Sequence, residues 1–295
     1  MKGALYLVGT PIGNLSDMSA RGVETLKSVD FIAAEDTRVT RNLLSRYEIN
    51  TCLISCHEHN IAAKSEKIVS RLESGQSCAF VTDAGMPCVS DPGETLVRLC
   101  AEKGLPVLAV PGASALTAAL AVSGLSTARF CFEGFLSVSK KQRTARLNAL
   151  KNSPYTLIFY EAPHKLKNTL SDLLKFLGDR KIAVCRELTK LHEEVIRGSV
   201  SEIIARYEAV PPKGEFVLVV QGKRATREEE ETLTLAQAAE MALNLRDDGV
   251  RLSEAAKIVS EQTGLRKSEI YSKSIEVDSS ESEICREPFE VYKEE

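Results

Sequence analysis

The chain has 295 residues, of which 43% are hydrophobic and 27% charged, an ordinary composition for a globular protein and a length that allows two domains. No apolar run approaches the roughly 18 residues needed to span a bilayer, and the sequence enters strand-like residues without a signal-peptide pattern, so we expect a cytoplasmic protein with no membrane partner. The net charge of −3 neither favours nor excludes nucleic acid, because the distribution of charge matters more than its sum.

Residues 1–125 alternate short β-rich runs with helical patterns. The runs are ALYLV, DFIAAE, TCLIS, CAFVT and PVLAV. The intervening stretch DPGETLVRLCAEKG is apolar at i, i+3 and i+4 and closes at Gly104. Short apolar strands separated by amphipathic helices are typical of a parallel α/β sheet. The pattern therefore predicts an N-terminal doubly wound α/β domain over 1–125.

Strand candidates outnumber helical ones between residues 126 and 222. They are RFCFEGFL, YTLIFYE, RKIAVCREL, EEVIRGSV and GEFVLVV, with helical patterns over 143–150 and 165–177. This mixture predicts a second, mixed α/β domain over 126–222.

After residue 222 the sequence changes from strand patterns to a polar run followed by helical patterns. The polar run KRATREEEETLT predicts a linker over 223–233, and three compact helical patterns predict a helix-turn-helix-like module over 234–278. This module has more acidic than basic residues, so we expect no DNA binding. Residues 279–295 lack periodicity and are predicted to form a disordered tail.

Three loops that combine glycine with proline follow predicted strands of the first domain: GTPIGN, TDAGMPCVSDPG and VPGAS. Loops at the carboxyl ends of parallel strands converge on the ligand crevice, so these loops should meet. Neither a dinucleotide fingerprint nor a P-loop is present, and prolines such as Pro11 remove backbone donors. The loops thus favour a rigid slot for an adenosine-sized ligand without pyrophosphate, with Thr82, Asp83 and Ser114 as polar groups. The alternative is that glycine and proline only shape the turns.

The motifs LVGTPIGNLSD, AAEDTRVTRNLL, HEHN, VTDAGMPCVSDPG, VPGASA, EGFL, FYEAPHKL and GEFVLVVQG run in this order over about residues 4–222. Together they resemble the tetrapyrrole-methylase-like (class III) S-adenosylmethionine-dependent methyltransferases. The resemblance implies two α/β domains of the tetrapyrrole methylase type, with S-adenosyl-L-methionine in the cleft between them. It also implies a homodimer and a small helical C-terminal module.

Within this superfamily, AEDTR together with EAPHKL resembles the branch that modifies ribosomal RNA. The implied activity is methylation of the ribose 2′-hydroxyl of a cytidine in the decoding region of 16S rRNA, in the context of the 30S subunit. Two alternatives stay open: a class III methylase of a porphyrin-like or protein substrate, and a non-catalytic ribosome-binding factor.

The resemblance implies a cofactor site drawn from all three loops and from the second domain. Its residues are Pro11, Ile12, Asp83, Gly85, Met86, Ser114, Ala115, Tyr160, Glu161 and Leu188. Asp83 would bind the ribose or amino group of the cofactor, or would instead cap the loop after the fourth strand.

A positioned base would help to remove the proton of a ribose hydroxyl. Glu35 and Asp36, which close the second strand, are the candidate catalytic residues. Asp36 can equally be the N-cap of the helix that begins near Thr37. The histidines of HEHN and YEAPH and the residue Glu161 are further candidates, and the transfer can also rely on positioning alone.

Candidate RNA-binding residues lie in three places. Arg38 follows Asp36, His57 and His59 lie in HEHN, and a basic stretch without acidic residues separates Glu133 from Glu161. The candidates in and just after this stretch are Lys140, Lys141, Arg143, His164 and Lys165. Such a stretch is either a track for phosphates or a solvated helix face. The CLISCHEH run has no second ligand pair at zinc-like spacing, so we expect no metal.

Overall fold

The structure is a computed structural model that describes residues 3–223 and 227–284, without the side chains of 227–234 and 279–284. The chain divides into two compact units, Met1–Lys223 and Arg224–Glu295. Both predicted α/β domains therefore lie in the first unit. Within the described residues, no helix is long and apolar enough to cross a membrane.

The first half of the α/β unit alternates strands and helices. In chain order these are β1 (Leu5–Val8), α1 (Ala20–Ser28), β2 (Phe31–Ala34), α2 (Thr37–Arg46), β3 (Cys52–Ser55), α3 (Ile61–Glu73), β4 (Cys78–Val81), α4 (Glu94–Glu102), β5 (Val107–Val110) and α5 (Ala115–Val122). The strands pair in parallel in the order β3-β2-β4-β1-β5. The predicted doubly wound parallel sheet is confirmed.

The first sheet is covered on both faces, which explains why its strands are continuous apolar runs. β2 and β4 are buried along their whole length. Leu72 of α3 and Leu96 of α4 belong to the core on one face, and Leu26 of α1 and Leu44 of α2 to the core on the other.

The second half contains five strands and three helices. They are β6 (Phe130–Phe135), α6 (Lys140–Leu150), β7 (Thr156–Glu161), α7 (Leu166–Leu177), β8 (Lys181–Arg186), β9 (Glu194–Ser199), α8 (Val200–Ala209) and β10 (Phe216–Val220). The sheet order is β6-β7-β10-β8-β9, in which β6 and β7 are parallel and the other pairs antiparallel. The predicted mixture of strands and helices in this half is confirmed.

The sequence analysis missed α8. Its signal was present, since Ser199 and Glu202 form a capping box in which each side chain bonds the backbone N–H of the other. Helices α6, α7 and α8 cover one face of the second sheet. The other face packs against α5, whose Ala119 and Leu120 contact Ile158 and Val217 in one core. The last helix of the first half thereby joins the two sheets.

The second unit consists of α9 (Arg227–Asp247), α10 (Leu252–Thr263) and α11 (Lys267–Ile284). The three predicted C-terminal helices are present, around a small core that includes Ala242, Ala256 and Ile270. Two expectations need correction. α9 begins inside the predicted linker, where a run of glutamates favours a helix near its N-terminus, and α11 extends beyond residue 278. Residues 224–226 and 285–295 of the predicted linker and tail lie outside the described residues.

Candidate functional site

A cavity of about 410 Å³ lies at the carboxyl edge of the first sheet and reaches onto the second. This volume is in the range of small-molecule and cofactor sites. Residues of all three loops with glycine and proline line it, as do residues at the ends of β7, β8 and β10. The lining consists of residues 12, 84–86, 89–91, 114–115, 135, 160–163, 185, 188 and 215–217.

Direct backbone contact holds the three loops together. A Cβ on Gly112 would lie 2.6 Å from the carbonyl oxygen of Gly9, so only glycine permits this approach of the loops after β1 and β5. The loop after β4 joins through Thr10 and Gly85, whose N–H groups donate to each other's carbonyl oxygens at 2.9 and 3.1 Å. The loops therefore meet at one sheet edge, as their position after the strands predicts.

Tyr160 connects the two halves of the cavity. Its hydroxyl oxygen accepts a hydrogen bond from the N–H of Leu116 in the first turn of α5, at 3.0 Å. The rings of Phe132 and Phe135 pack edge-on against Tyr160, with centroid separations of 4.9 and 5.6 Å. The neighbouring N-cap residue Ser114 makes no side-chain capping bond. Tyr160 thus fixes the start of α5 to β7, and the Ser114 hydroxyl accepts no hydrogen bond from the first turn of α5.

The charged residues of the lining are all acidic. They are Asp91, Glu161 and Glu215, and no lysine, arginine or histidine is among the described lining residues. Lys190, outside the lining, pairs with Glu215 at 3.1 Å. A pocket bordered by carboxylates and apolar walls favours a cationic ligand and disfavours a phosphate.

Most of the predicted cofactor residues line this cavity: Ile12, Gly85, Met86, Ser114, Ala115, Tyr160, Glu161 and Leu188. Pro11 and Asp83 line a second cavity of about 260 Å³ instead, together with residues of α2 such as Val39. Asp83 accepts a hydrogen bond from the N–H of Asp36 at 3.1 Å, so it joins the loop after β4 to the loop after β2. For these two residues the geometry departs from the predicted set.

Glu161 is buried at the end of β7 in a polar network. One carboxylate oxygen accepts from the hydroxyl of Thr169, and the other from the N–H of Ala162 at 2.9 Å. Arg143 donates to the same Thr169 hydroxyl at 2.8 Å. Because both oxygens already have donors, the arrangement favours a structural role for Glu161 over that of a base.

Asp36 caps α2. Its carboxylate accepts from the N–H of Arg38 at 2.8 Å and pairs with the Arg38 guanidinium at 2.7 Å. The side-chain bond with Arg38, followed by the backbone bond, lowers the pKa of Asp36 to about 2. Such an acidic group is a weak proton acceptor at neutral pH. The structure therefore favours the capping alternative for Asp36.

Glu35 is partly buried beside Asp83, whose N–H lies 3.5 Å from one Glu35 carboxylate oxygen. Burial, and then the charge of Asp83, raise the pKa of Glu35. Glu35 is not among the residues that line the 410 Å³ cavity.

His57 and His59 occupy the turn before α3. The backbone N–H of His57 donates to Asn60 Oδ1 at 2.9 Å, and its ring Nε2 lies 3.0 Å from Asn60 Nδ2. His59 is exposed and packs edge-on against His57. Across the part of the chain that the structure describes, no group of three or more His, Cys, Asp or Glu residues could hold a metal ion.

Intrachain ion pairs interrupt the predicted basic stretch. Arg143 pairs with Asp172 at 2.6 Å, and Arg146 pairs with Glu133 through two bonds of 2.6 and 2.8 Å. The Glu133 side chain is only 4% exposed, so Arg146 compensates a buried charge. Arg143 thus has structural partners in this geometry, and its role in RNA binding stays a prediction.

Lysines at the helix starts remain on the surface. Lys140 and Lys141 are exposed in the first turn of α6, His164 is exposed, and Lys165 is the half-buried N-cap of α7. Arg38 has 86% of its side chain exposed although it pairs with Asp36. Fewer unpaired basic side chains are therefore exposed in this region than the sequence predicted, because Arg143 and Arg146 have acidic partners within the chain.

Several lining residues were missed by sequence reasoning. Asp91 is the most informative, because it belongs to a loop that the analysis had already placed at the sheet edge. Phe135 and Phe216 had no comparable signal, since aromatic residues in strands usually belong to a core. Only the pairing of β10 between β7 and β8 brings Phe216 to this cavity.

Comparison with known proteins gives a consistent result. The model of the tetrapyrrole (corrin/porphyrin) methylase family matches residues 4–204. A protein of Synechocystis sp. called ribosomal RNA small subunit methyltransferase I is 46% identical, over 94% of this chain and 99% of its own length. The protein of that name from Bacillus subtilis is 47% identical, over 91% of this chain and 93% of its own length. The one from Thermotoga maritima is 47% identical, over 75% of this chain and 99% of its own length.

Solved structures share the fold at low identity. A diphthine synthase superposes with a TM-score of 0.58 and 16% identity, over 78% of this chain and 94% of its own. A cobalt precorrin-4 methyltransferase of cobalamin biosynthesis superposes with a TM-score of 0.55 and 18% identity, over 73% of this chain and 94% of its own. These similarities concern the architecture of the α/β unit.

Proposed function

Because the chain belongs to the tetrapyrrole (corrin/porphyrin) methylase family, we propose that it is an S-adenosyl-L-methionine-dependent methyltransferase of the ribose 2′-hydroxyl of a cytidine in 16S rRNA. The names of the relatives, which are 46% and 47% identical over more than nine-tenths of this chain, support the ribosomal substrate. The Thermotoga relative covers only 75% of this chain, which supports assigning the reaction to the α/β unit.

The observation that carries the proposal is the charge of the 410 Å³ cavity. Its charged residues are carboxylates, and the rest of its wall is largely apolar. S-adenosyl-L-methionine bears a sulfonium, an ammonium group and a single carboxylate, so its net charge is positive, and it has no phosphate. The residues present therefore fit it. When bound, this cofactor supplies a methyl group on a sulfur that leaves as a neutral thioether.

The chain's own residues bind and orient the reactants. Ile12, Met86 and Leu188 provide the apolar wall, and Ser114 and Ala115 lie at the start of α5. Rigid loops suit this task, since fixing two reactants in line can lower a barrier by as much as about 7–11 kcal/mol. The packing of Gly9 on Gly112 provides such rigidity on the cofactor side.

The RNA would contact the cationic surface near the cavity. Lys140 and Lys141 are its exposed members at the start of α6, five and six residues beyond the lining residue Phe135. We assign further phosphate contacts to Lys165 and Arg38, and a rim contact to the His57–His59 turn. The proposed substrate, the 30S subunit, places the reaction in the cytoplasm.

A homodimer is part of the proposal. Leu108 of the edge strand β5, Val122 at the end of α5 and Phe130 of the edge strand β6 are 46%, 38% and 44% exposed. Apolar side chains on sheet edges are typical of surfaces that a second copy covers. Light scattering on the full chain measures the state directly.

Labelled cofactor incubated with naked 16S rRNA or with 30S subunits tests the reaction. We expect label on a cytidine ribose. Label on a base, or on no RNA despite cofactor binding by calorimetry, would contradict the proposal, and failure to bind the cofactor at millimolar concentration would contradict any methyltransferase function.

Lys140→Glu with Lys141→Glu should weaken RNA binding and leave cofactor affinity unchanged. The matched control is Lys27→Glu with Lys67→Glu, which makes the same charge change on exposed residues of α1 and α3.

A further inference from the structure

Asp91 lies in the loop between β4 and α4 and lines the 410 Å³ cavity. It is the one charged group that the first sheet contributes to the described lining; the other two, Glu161 and Glu215, come from the second half of the unit. Unlike Glu161, whose carboxylate oxygens have donors, Asp91 has no side-chain hydrogen bond within the described residues. It is therefore free to interact with a ligand.

The backbone around Asp91 is held in unusual conformations. Cys88 and Ser90 have φ angles of 69° and 64°, and Gly93 has a φ of 135°. Left-handed conformations in residues with side chains cost free energy and persist only where the surroundings fix them. Such residues cluster at functional sites, which suits a loop that must hold one side chain in place.

Close contacts on both sides fix this loop. A Cβ on Gly134 of β6 would lie 2.8 Å from the hydroxyl oxygen of Ser90. A Cβ on Gly93 would lie 2.6 Å from Cys88 Sγ and 2.7 Å from the ring of Phe80. Gly134 also lies at the bulge of β6, and its φ of 60° favours glycine. The Asp91 loop is thus seated between β4 and the second sheet.

The titratable groups around Asp91 come from three elements. Glu35 lies at the end of β2, Asp83 lies earlier in the same loop, and Tyr160 faces the cavity from β7. Burial, and then the charges of Glu35 and Asp83, raise the pKa of Asp91 to about 6. Burial also raises the pKa of Tyr160, which leaves its hydroxyl neutral. A carboxylate with these neighbours is ionised at neutral pH and more basic than an exposed aspartate.

We propose that Asp91 is the catalytic base that accepts the proton of the acceptor hydroxyl during methyl transfer. This inference rests on the proposed function and names the residue for its proton step. The hydroxyl oxygen forms a bond to the methyl carbon while the carbon–sulfur bond breaks, and that electron pair stays on the sulfur. The proton passes to the Asp91 carboxylate and then to solvent, so charge and atoms balance.

The test compares Asp91→Asn with the wild-type chain in single-turnover transfer to 30S subunits between pH 5 and 9. We expect the rate to fall by about 10²–10⁴-fold. The wild-type rate should decline below about pH 6, where Asp91 takes up a proton, and the variant should lack this limb. Because Asp91 is also one of the three carboxylates of the cavity, calorimetry measures the cofactor affinity of each chain, and the rates are compared at saturating cofactor. The control is Asp30→Asn, which makes the same change just before β2, at the amino edge of the first sheet and away from the cavity.

Asp91→Ala with added formate separates chemistry from folding, because formate should restore part of the rate. A variant that keeps the wild-type rate and pH profile overturns the proposal. So does an Asp91→Asn rate that returns to the wild-type value at saturating cofactor, or an Asp91→Ala rate that formate leaves unchanged. A wild-type chain that binds cofactor but methylates no ribose overturns the proposed function itself, and this inference with it.

Discussion

Two acidic loops at the carboxyl edge of the first sheet differ in what their carboxylates do. The loop after β2 carries Glu35 and Asp36, and the loop after β4 carries Asp91. Bonds to Arg38 lower the pKa of Asp36 to about 2, whereas burial and neighbouring carboxylates raise that of Asp91 to about 6. The pKa values of the two aspartates have moved in opposite directions, although both follow buried parallel strands.

The difference comes from the donors that each loop offers. A helix begins directly after Asp36, and the free N–H groups of its first turn recruit the carboxylate as a cap. Asp91 is followed by Pro92 and Gly93, so α4 begins further on with Gly93 as its N-cap. An acid in a loop between a strand and a helix is thus available for chemistry when no helix terminus uses it.

Among variants that leave both acidic side chains in place or change only the capping loop, the largest effect is expected from displacing the Asp91 loop. In Gly134→Ala the new methyl group would meet the Ser90 hydroxyl at 2.8 Å, and we expect methyl transfer to fall more than about tenfold, since small misplacements of a catalytic group are costly. Gly178→Ala is the control, because Gly178 also has a positive φ, 87°, but nothing within 4 Å of a Cβ. Equal losses of activity in the two variants would mean that backbone strain alone is responsible.

A smaller effect is expected at the capping loop. Asp36→Ala removes the N-cap and the Arg38 pair, which should lower the midpoint of thermal unfolding by roughly 2–4 °C at pH 7. Since the folded-state pKa of Asp36 is lowered, its contribution exists above pH 4 and disappears as the pH falls towards 2. Unfolding followed at pH 7 and pH 2.5 checks both statements. If transfer by the folded variant falls as far as in Asp91→Asn, the contrast between the loops is wrong.

The smallest effect concerns stability at Asp91. Its raised pKa means that Asp91 binds its proton more tightly in the folded chain than in the unfolded chain, so the contribution of Asp91 to the free energy of unfolding should fall as the pH rises from about 4 through 6. Asp91→Asn should lack this fall, and it should be more stable than wild type at pH 7.5 by at most about 1 kcal/mol after allowance for partial exposure. Urea unfolding of both chains at pH 4.5 and 7.5 measures the difference. If the free energy of unfolding changes equally with pH in both chains, the pKa of Asp91 is not raised by folding, and this prediction is wrong.

Local sequence patterns determined the architecture of the α/β unit. All ten strands coincide with runs that are recognisable from β-branched and apolar residues, such as FIAA and FVLVV. The parallel first sheet follows because strands and amphipathic helices alternate. Helix α8 was missed because it follows β9 directly at Ser199, so the strand pattern continued into the helix without a break.

The candidate site was only partly determined in this way. The strand-end rule brings three loops to one edge, but it does not say on which side of a loop each residue lies. Pro11 and Ile12 are adjacent in the chain yet line different cavities, as do Asp83 and Ala84. The paired residues Thr10 and Gly85 likewise line different cavities.

The sequence by itself determined the family, the succession of strands and helices along the chain and the convergence of the loops, since these depend on residue type and periodicity along the chain. Only the tertiary structure decided which charges remain available. Arg143 and Arg146 are neutralised by Asp172 and Glu133, partners 29 and 13 residues away, and Asp91 is shifted by Glu35, which lies in another loop. The protonation and pairing of a side chain depend on burial and on groups that are distant in sequence, so only the folded chain fixes them.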